Sequence, residues 1–558
     1  MRLPDEKTIV SLFHSRTADH GDDTAIWVKQ KGAYTSQNWS DFGRRVRRTA
    51  AALMGLGVQP GDRVVQVSEN RYEWIVCDLA IQMAQAVHVP VHAPLTGPQI
   101  VHQIVDCGAR VVLVSTPAQL EKLASVERRL PERIRVVCYD ACDASIRGRK
   151  VVQLDDLTAN VASGMGREAE RQALMSVRPD SLATILYTSG TTGEPKGVML
   201  TQDNLAFNAL ATVKAISHAP GDLRLCILPL SHIFARTCDL YTWIAAGSQL
   251  ALAQSRETVL EDCAAVRPTL INAVPYFFER IVRRLEEQGK SGVPGALSDL
   301  LGGRIRFCCS GGAALPEHLY DAFAAQGVTL LQGYGLSETS PVITVSSPEA
   351  NRRGTAGRPL PGVEVRIAED GEILTRGRHV MQGYYNNQAA TDETIRDEWL
   401  YTGDLGQLDG DGFLRITGRK KEIIVTSGGK NISPVLIEGL LAQEPLIHQA
   451  MIVGDGRDYL AALIVPEPGA LQEEITSRRI TVSSVADALA HPDVVSLYTE
   501  RIGQRLADLA PYEQVRTFRL IDRAFSIEQG ELTPKLSLRR EVIEQHFAGQ
   551  IRAMYGAK

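Results

Sequence analysis

The feature that most constrains the fold is a repeated alternation of short apolar runs with helical stretches. Several apolar runs end in clusters of glycine, serine or threonine, namely RVVQVSEN (63–70), ARVVLVSTP (109–117), LATILYTSG (182–190), RIRFCCSGG (304–312) and VTLLQGYG (328–335). Helical stretches lie between them, and the one after Thr201 has a typical N-cap residue. Strands that alternate with helices predict βαβ units and largely parallel sheets. Because such sheets bind ligands beyond their strand ends, the glycine-rich turns predict a nucleotide-sized site.

The pattern changes in the last third of the chain. Short strands separated by DG and GD turns occupy about 345–419 and predict a small β-barrel. A mixed pattern follows, with YLAALIVPE and FRLIDRAF as strands and SVADALAHPDVVSLYTERIGQRLADL as one helix. We therefore predict an α/β fold: a large N-terminal domain of parallel-sheet βαβ subdomains plus the barrel (1–419), then a small α+β C-terminal domain (420–558).

Composition excludes several functional classes. The 558 residues carry a net charge of −5, so no basic excess points to nucleic acid or to an anionic membrane. The start, MRLPDEKTIV, lacks the apolar core of a signal peptide, and no run of about 18 apolar residues suggests a membrane span. The nine cysteines lack zinc-site spacing, which favours buried free thiols. We expect a cytoplasmic protein.

One loop has the composition of a phosphate-binding turn. YTSGTTGEPKGV (187–198) follows a strand and combines three glycines, four serine or threonine residues and Lys196. Small residues let successive backbone N–H groups face an anion, while hydroxyls and the lysine add donors and charge. The order is not that of a Walker P-loop, since the lysine precedes the last glycine. The alternative is a flexible surface loop.

Another stretch, LQGYGLSETSP (331–341), combines an aromatic side chain with an acidic one. Tyr334 is suited to stacking on a base, Ser337 to bonding a phosphate, and Glu338 to holding Mg²⁺ against phosphate oxygens. SGGAALPE (310–317) is a tight turn that lets backbone approach a purine. An ordinary turn is the alternative for both.

Two further stretches supply an acid and a basic trio. In YTGDLGQ (401–407), the Asp404 carboxylate can accept both ribose hydroxyls, although a structural turn aspartate is the alternative. ITGRKKEIIVTSGGKNISP (416–434) joins Arg419, Lys420 and Lys421 to a second glycine turn. Such a trio suits either a junction between domains that share a site or a solvated face.

Together with LPLSHIFART (228–237) and ELTPKLSLRR (531–540), these motifs resemble the adenylate-forming superfamily of acyl-CoA synthetases, luciferase-type enzymes and peptide-synthetase adenylation domains. The resemblance runs from about residue 8 to 547 and is closest to the long-chain fatty acyl-CoA synthetases. It implies a two-step ligase: a lipophilic carboxylic acid and Mg·ATP form acyl-AMP and pyrophosphate, and CoA then displaces AMP. It also implies that the C-terminal domain is mobile and rotates between the two steps.

The resemblance assigns a role to each matching position. For the nucleotide, it places the pyrophosphate at Thr188, Ser189, Gly190, Thr191, Thr192 and Lys196, and adenine at Gly312, Ala313, Gly333 and Tyr334. It places the α-phosphate at Ser337, Mg²⁺ at Glu338, and ribose at Asp404 and Arg419. For the CoA step, it places the hinge at Lys421 and the pantetheine tunnel at Gly428 and Gly429. His232 resembles the residue that gates the acyl pocket, with a core or capping histidine as the alternative. Gln202 stands where histidine is common, and Ala235 where glutamate is common.

The largest departure lies near the C-terminus. Long-chain enzymes carry a lysine there that contacts the acyl carboxylate and the α-phosphate during adenylation, and this chain has Ser537 at that position. Lys535 lies two residues earlier, about 6.6–7 Å away if the segment is extended. A cation displaced by a few ångströms loses much of its stabilising effect. The sequence therefore favours weak or absent adenylation with intact CoA transfer.

Four hypotheses follow. The chain forms CoA thioesters from acyl-AMP that a separate adenylating enzyme supplies, or it is a complete long-chain fatty acyl-CoA synthetase that uses Lys535. It could otherwise be a fatty acyl-AMP ligase that loads a carrier protein, although no long insertion near residue 360 supports this. The remaining hypothesis is a non-catalytic protein that binds acyl-AMP or acyl-CoA.

Overall fold

The computed structural model describes residues 7–188, 195–219, 221–255, 257–526, 528–532 and 538–556. The chain divides into two compact units. The larger unit contains residues 1–366, 374–402 and 408–415, and the smaller unit contains 367–373, 403–407 and 416–558.

A nine-stranded sheet lies in the larger unit. Its strands, in spatial order, are Arg358–Pro359, Val342–Val345, Thr329–Gly335, Phe307–Ser310, Leu270–Ala273, Leu223–Cys226, Gln249–Leu252, Thr24–Gln30 and Ala33–Asn38. The six strands from Thr329–Gly335 to Thr24–Gln30 are parallel, and antiparallel strands flank them on both sides. The predicted parallel sheet is therefore present.

A second sheet of eight strands lies in the same unit. Its strands, in spatial order, are Gly383–Tyr384, Lys196–Thr201, Leu182–Thr188, Val87–His92, Arg63–Ser68, Val111–Val114, Arg135–Cys138 and Val152–Gln153. The last six are parallel. A hairpin pairs Ser145–Ile146 with Arg149–Lys150. Each of the five apolar runs that end in clusters of glycine, serine or threonine contributes a strand to one of the two large sheets.

Helices connect and cover these strands. The α-helices are Ile9–Asp19, Trp39–Gly55, Tyr72–Met83, Gly97–Asp106, Pro117–Ala124, Leu154–Ala159, Met165–Ser176, Gln202–Ala215, Ile233–Ala235, Thr242–Ala246, Val259–Val266, Pro275–Glu287, Ala296–Leu300, Glu317–Ala325 and Gln388–Thr394, with 3-10 turns at Glu127–Arg129 and Ser337–Thr339 and a π-helical turn at Arg236–Tyr241. The N-cap predicted at Thr201 is confirmed, since its hydroxyl accepts a hydrogen bond from Asn204 N at 3.2 Å.

The predicted small β unit is a five-stranded sheet. It runs Glu364–Ile367, Glu372–Arg376, Trp399–Leu408 and Ile395–Arg396, with Leu414–Arg419 also paired to Trp399–Leu408. The earlier strand Arg358–Pro359 pairs instead with Val342–Val345 in the nine-stranded sheet. The β unit therefore begins near residue 364.

The C-terminal residues form an α+β arrangement. A three-stranded sheet contains Ile447–Val453, Leu460–Pro466 and Val515–Leu520, and a hairpin pairs Ile424–Val425 with Asn431–Ile432. The helices here are Pro434–Leu441, Pro468–Ser477, Val485–Ala490, Pro492–Arg505, Arg540–His546 and Ala548–Met554, with a 3-10 turn at Lys420–Glu422. The domain boundary at residue 420 stays a prediction.

The prediction of one continuous helix over residues 484–509 is wrong. Two helices, Val485–Ala490 and Pro492–Arg505, replace it. A proline disfavours helical backbone in the residue before it, and His491 accordingly has φ −65° and ψ 129°. Pro492 then starts the second helix, where its missing N–H costs nothing.

The nine cysteines all lie within the described residues and are free thiols; eight are buried, as predicted, and Cys142 is half-buried. Among the helices that the structure describes, none is long and apolar enough to span a lipid bilayer.

Candidate nucleotide and acyl site

The turns assigned to adenine lie at the carboxyl ends of neighbouring parallel strands. Gly312 and Ala313 follow Phe307–Ser310, and Gly333 and Tyr334 lie near the end of Thr329–Gly335. Gly312 has φ +80°, a backbone conformation that favours glycine. Because parallel strands end at the same sheet edge, these four residues are brought together where such sheets bind ligands.

The segment that carries His232 lies at the same sheet edge. It follows Leu223–Cys226, and His232 Nδ1 accepts a hydrogen bond from Phe234 N at 3.2 Å, which caps the short helix Ile233–Ala235. A Cβ atom on Gly311 would lie only 2.9 Å from Phe234 Cζ. The histidine segment therefore contacts the turn assigned to adenine.

An apolar cluster lies behind these residues. Phe234 and Tyr334 are both partly buried, and both pack against one cluster of buried side chains. Its members include Cys238, Cys309 and Leu331. The site therefore borders an interior that favours an apolar ligand group.

Glu338, the residue assigned to the metal, is fixed by two hydrogen bonds. Its backbone oxygen accepts from Met381 N at 2.8 Å, and its Oε1 accepts from the Tyr384 hydroxyl at 2.8 Å. Burial, followed by the neighbouring Glu338 carboxylate, raises the pKa of Tyr384, so this hydroxyl stays protonated and donates. Lys196 Nζ lies 5.1 Å from the centre of the Tyr384 ring. Tyr384 thus links the predicted metal ligand to the predicted phosphate-binding lysine.

The Glu338 carboxylate fits a magnesium ion. In the part of the chain that the structure describes, it takes part in no ion pair, and its Oε1 is oriented by Tyr384. Magnesium commonly binds one or two protein carboxylates together with substrate phosphates. A single oriented carboxylate matches that donor set.

The predicted phosphate loop is only partly described. Thr188 ends one strand and Lys196 begins the next, and the two are directly paired across the antiparallel ladder. Ser189, Gly190, Thr191 and Thr192 lie outside the described residues. The described strand ends place Lys196 opposite Thr188.

In the smaller unit, Asp404 and Arg419 form an ion pair. Arg419 Nε lies 2.8 Å from Asp404 Oδ1, and the aspartate is 4% exposed. Glu372 supports the arrangement, because its Oε1 accepts from Gly403 N at 2.8 Å and its Oε2 pairs with Lys420 at 2.9 Å. The two residues assigned to ribose are therefore neighbours.

The second glycine turn is a tight hairpin loop. Val425 pairs with Asn431, and Gly429 N donates to Thr426 O at 2.8 Å. Gly429 has φ +73°, and a Cβ atom there would meet nothing within 4 Å. Gly428 would meet only the Thr426 hydroxyl, at 3.9 Å. Lys421 is exposed, in the preceding 3-10 turn.

Lys535 and Ser537 lie outside the described residues. The chain on either side is well anchored: Leu532 and Leu538 form an antiparallel bridge, and Arg539 N donates to Glu531 O at 2.8 Å. The fully buried Glu531 carboxylate pairs with Arg523 at 2.6 Å.

Of the two positions that depart from the long-chain pattern, Gln202 belongs to a buried polar network and Ala235 lies in the hydrophobic core beside it. Gln202 Nε2 donates to Gln82 Oε1 at 3.0 Å, and Gln82 Nε2 donates to Asp78 Oδ2 at 3.1 Å. Asp78 also pairs with Arg236 at 2.5 Å, next to the fully buried Ala235. Both positions therefore serve core packing in this chain.

The sequence reasoning missed Tyr384 and Glu372. Tyr384 lies 46 residues from the glutamate that it contacts, and Glu372 lies 31 residues from Gly403. Their local signals, an aromatic pair after a glycine and an acid after a DG turn, are common in ordinary turns.

Comparison with known proteins identifies the family. The model of the AMP-binding enzyme family matches residues 13–385, and that of the AMP-binding enzyme C-terminal domain matches 421–558. The chain is 34% identical to the long-chain-fatty-acid--CoA ligase FadD15 of Mycobacterium bovis, over 94% of this chain and 93% of that protein. It is 29% identical to the human long-chain-fatty-acid--CoA ligase ACSBG1, over 98% and 85%.

A solved structure shares the fold. ATP-bound MatB from Rhodopseudomonas palustris superposes with a TM-score of 0.76 at 25% identity, over 97% of this chain and 99% of that one. The strand-end turns, the family models and the relatives agree, and the chain belongs to the AMP-binding enzyme family as an AMP-forming acid–thiol ligase, close to the long-chain fatty acyl-CoA synthetases.

Proposed function

We propose that this chain joins a lipophilic carboxylic acid to CoA through an acyl-AMP intermediate and catalyses both half-reactions. The observation that carries the proposal is the grouping of His232, Gly312 and Tyr334 at one sheet edge, in front of an apolar cluster. An acyl-AMP whose adenine binds at these turns would place its acyl group toward that cluster.

The chemistry follows from the leaving groups. A carboxylate oxygen of the acid attacks the α-phosphorus of ATP, and pyrophosphate leaves. The CoA thiolate then attacks the acyl carbon, and AMP leaves with the electron pair. Carboxylate oxygen alone is a poor leaving group, and linkage to AMP makes it a good one.

Each group of residues has a role in this proposal. Glu338 would hold Mg²⁺, which neutralises phosphate charge, and Thr188 to Thr192 with Lys196 would bind the pyrophosphate portion. Asp404 and Arg419 would bind the ribose, and Ser337 the α-phosphate. Gly428 and Gly429 would leave room for pantetheine. Rotation about Lys421 between the two steps stays a prediction.

We further propose that adenylation is the slower half-reaction. The physical reason is the hydroxyl of Ser537 at the position where long-chain enzymes have a lysine, which leaves Lys535, two residues earlier, as the candidate replacement cation. The comparisons give no support for a separate adenylating enzyme. The contacts of Tyr384 with Lys196 and Glu338 support retained adenylation. These residues are assigned to pyrophosphate and Mg²⁺, and the CoA step involves no pyrophosphate.

The test separates the half-reactions. Pyrophosphate release is measured with a panel of fatty and polycyclic acids, and CoA transfer is measured from chemically made acyl-AMP. The Ser537→Lys variant should raise adenylation about ten- to a thousandfold, equivalent to about 1.4–4 kcal/mol from one well-placed charge, and should leave CoA transfer unchanged.

Lys535→Ala provides the opposing measurement. If adenylation is brisk in the wild type and collapses in Lys535→Ala, Lys535 is the catalytic cation and the slow-adenylation proposal is wrong. If the wild type transfers acyl groups to CoA but never releases pyrophosphate, the chain is a thioester-forming half-enzyme. Failure of both reactions with every acid would reject the proposed function itself.

A further inference from the structure

Two strand ends of the eight-stranded sheet contact the segment that carries His232. Ser68 and His92 end neighbouring parallel strands and are paired in register. Asn70 lies two residues beyond Ser68. Both Asn70 and His92 point their polar atoms at residues 228–231, which follow a strand of the other large sheet.

Asn70 fixes the backbone of this segment with two hydrogen bonds. Its Nδ2 donates to Leu228 O at 2.7 Å, and its Oδ1 accepts from Leu230 N at 2.8 Å. The amide thus satisfies one acceptor and one donor on either side of Pro229, a residue that has no N–H of its own. Two bonds to one amide fix both the position and the direction of the loop.

The residue before Asn70 is anchored by two hydrogen bonds. The Glu69 carboxylate accepts from Ser115 Oγ at 2.5 Å and from Gln119 Nε2 at 2.6 Å. The Asn70 amide therefore extends from an anchored strand end of the eight-stranded sheet. Through its two hydrogen bonds it holds residues 228–230, which follow a strand of the nine-stranded sheet.

His92 contacts the segment one residue before His232. Its Nδ1 lies 2.7 Å from Ser231 Oγ, within hydrogen-bond distance. Its ring also lies nearly parallel to that of His232, with the centres 6.4 Å apart and an angle of 18°. His92 thus bonds the residue before His232, and the rings of the two histidines face each other.

We propose that Asn70 and His92 are positioning residues that set the orientation of His232 and thereby the fit of the acyl group. This inference rests on the proposed function, because it assigns His232 to the acyl side of the site. Neither residue is assigned to adenine, ribose or phosphate. Loss of either contact should therefore weaken recognition of the acyl portion and leave recognition of AMP unchanged.

The most direct test compares three substitutions in the full chain. His92→Phe keeps a ring but removes the bond to Ser231, His92→Asn keeps a nitrogen near the Nδ1 position, and Ser231→Ala removes the other partner. His102→Phe is the matched control, since His102 is also half-buried and lies on the following helix, Gly97–Asp106.

Two readouts distinguish positioning from a general structural effect. Calorimetry measures binding of AMP and of hexadecanoyl-sulfamoyl-adenosine, a non-reactive acyl-AMP mimic. NMR of protein labelled with ¹⁵N-histidine reports the His232 ring without any ligand. We expect His92→Phe and Ser231→Ala to weaken binding of the mimic about three- to tenfold, the usual effect of one hydrogen bond, with AMP binding unchanged.

The outcomes are separable. Shifted His232 signals in His92→Phe, unshifted signals in His102→Phe, and near wild-type binding in His92→Asn would support the inference. Unshifted His232 signals, equal losses for AMP and the mimic, or a His92→Asn variant as weak as His92→Phe would overturn it. A wild type that binds AMP but not the mimic would reject the proposed function, while the ring signals still decide whether His92 orients His232.

Asn70→Ala gives an independent check, because it removes both backbone contacts at once. It should shift the His232 signals and weaken binding of the mimic about tenfold or more, and Asn70→Asp should not restore it, since a carboxylate cannot donate to Leu228 O. Full recovery in Asn70→Asp would contradict the assigned hydrogen bonds.

Discussion

Removing the Tyr384 hydroxyl tests whether Glu338 is oriented for a metal ion. The Tyr384→Phe change deletes a 2.8 Å hydrogen bond to Glu338 Oε1 and leaves the ring beside Lys196 in place. Tyr384 is only 8% exposed, so water replaces the lost donor poorly. The carboxylate should then sample orientations that do not favour Mg²⁺.

The magnitude follows from the type of bond. A hydrogen bond to a charged acceptor contributes about 1.5–3 kcal/mol, and loss of a group that orients a metal ligand commonly weakens metal affinity about 10- to 100-fold. We therefore expect the Mg²⁺ concentration for half-maximal adenylation to rise about 10- to 100-fold. CoA transfer from ready-made acyl-AMP should change less than about twofold, because no pyrophosphate is neutralised in that step.

The assay is ATP–pyrophosphate exchange over a Mg²⁺ titration. Tyr385→Phe is the matched control, since it makes the same change one residue along, at a side chain packed against a different cluster. An unchanged Mg²⁺ midpoint in Tyr384→Phe would refute the reasoning. So would an equal shift in Tyr385→Phe.

Three further predictions concern the smaller unit. Asp404→Asn should weaken AMP binding, measured by calorimetry, about 10- to 100-fold, because a charged acceptor for the ribose hydroxyls is lost. The control ligand 2′,3′-dideoxy-AMP lacks both hydroxyls and should bind the wild type and the variant alike. An equal loss of affinity for that ligand would reject the assignment. Gly429→Leu should block CoA transfer by filling the open space at the turn while leaving binding of an acyl-AMP mimic intact, and normal transfer would show that pantetheine passes elsewhere. Arg523, through its hydrogen bonds, lowers the pKa of Glu531 to about 2, so this carboxylate stabilises the fold above its unfolded pKa, and the effect fades as pH falls from about 4.5 toward 2. Glu531→Gln should therefore lower the free energy of unfolding at pH 7, measured by urea denaturation, by up to about 3 kcal/mol. The gap to wild type should narrow as pH falls below 4.5, and a gap that stays constant there would contradict the ion pair.

Local sequence patterns determined much of the secondary structure of this protein. The apolar runs and the Thr201 cap predicted strands and a helix start correctly, because alternation and capping depend on residues a few positions apart. The break before Pro492 was also available in the sequence, since proline constrains the residue before it regardless of tertiary context. The composition of the glycine turns and their order along the chain were enough to place it in its family.

The tertiary structure decided which of these turns meet. The order of the strands brings Gly312, Tyr334 and His232 to one sheet edge, although 102 residues separate Tyr334 from His232. It also brings the Tyr384 hydroxyl to Glu338 and the Asn70 amide to Leu228, 158 residues away. Side-chain contacts across such distances depend on sheet order and packing, which no local pattern encodes. The sequence by itself therefore determined the chemistry that the chain can carry, and only the fold decided which side chains orient it, because orientation requires contacts between residues that are remote in sequence.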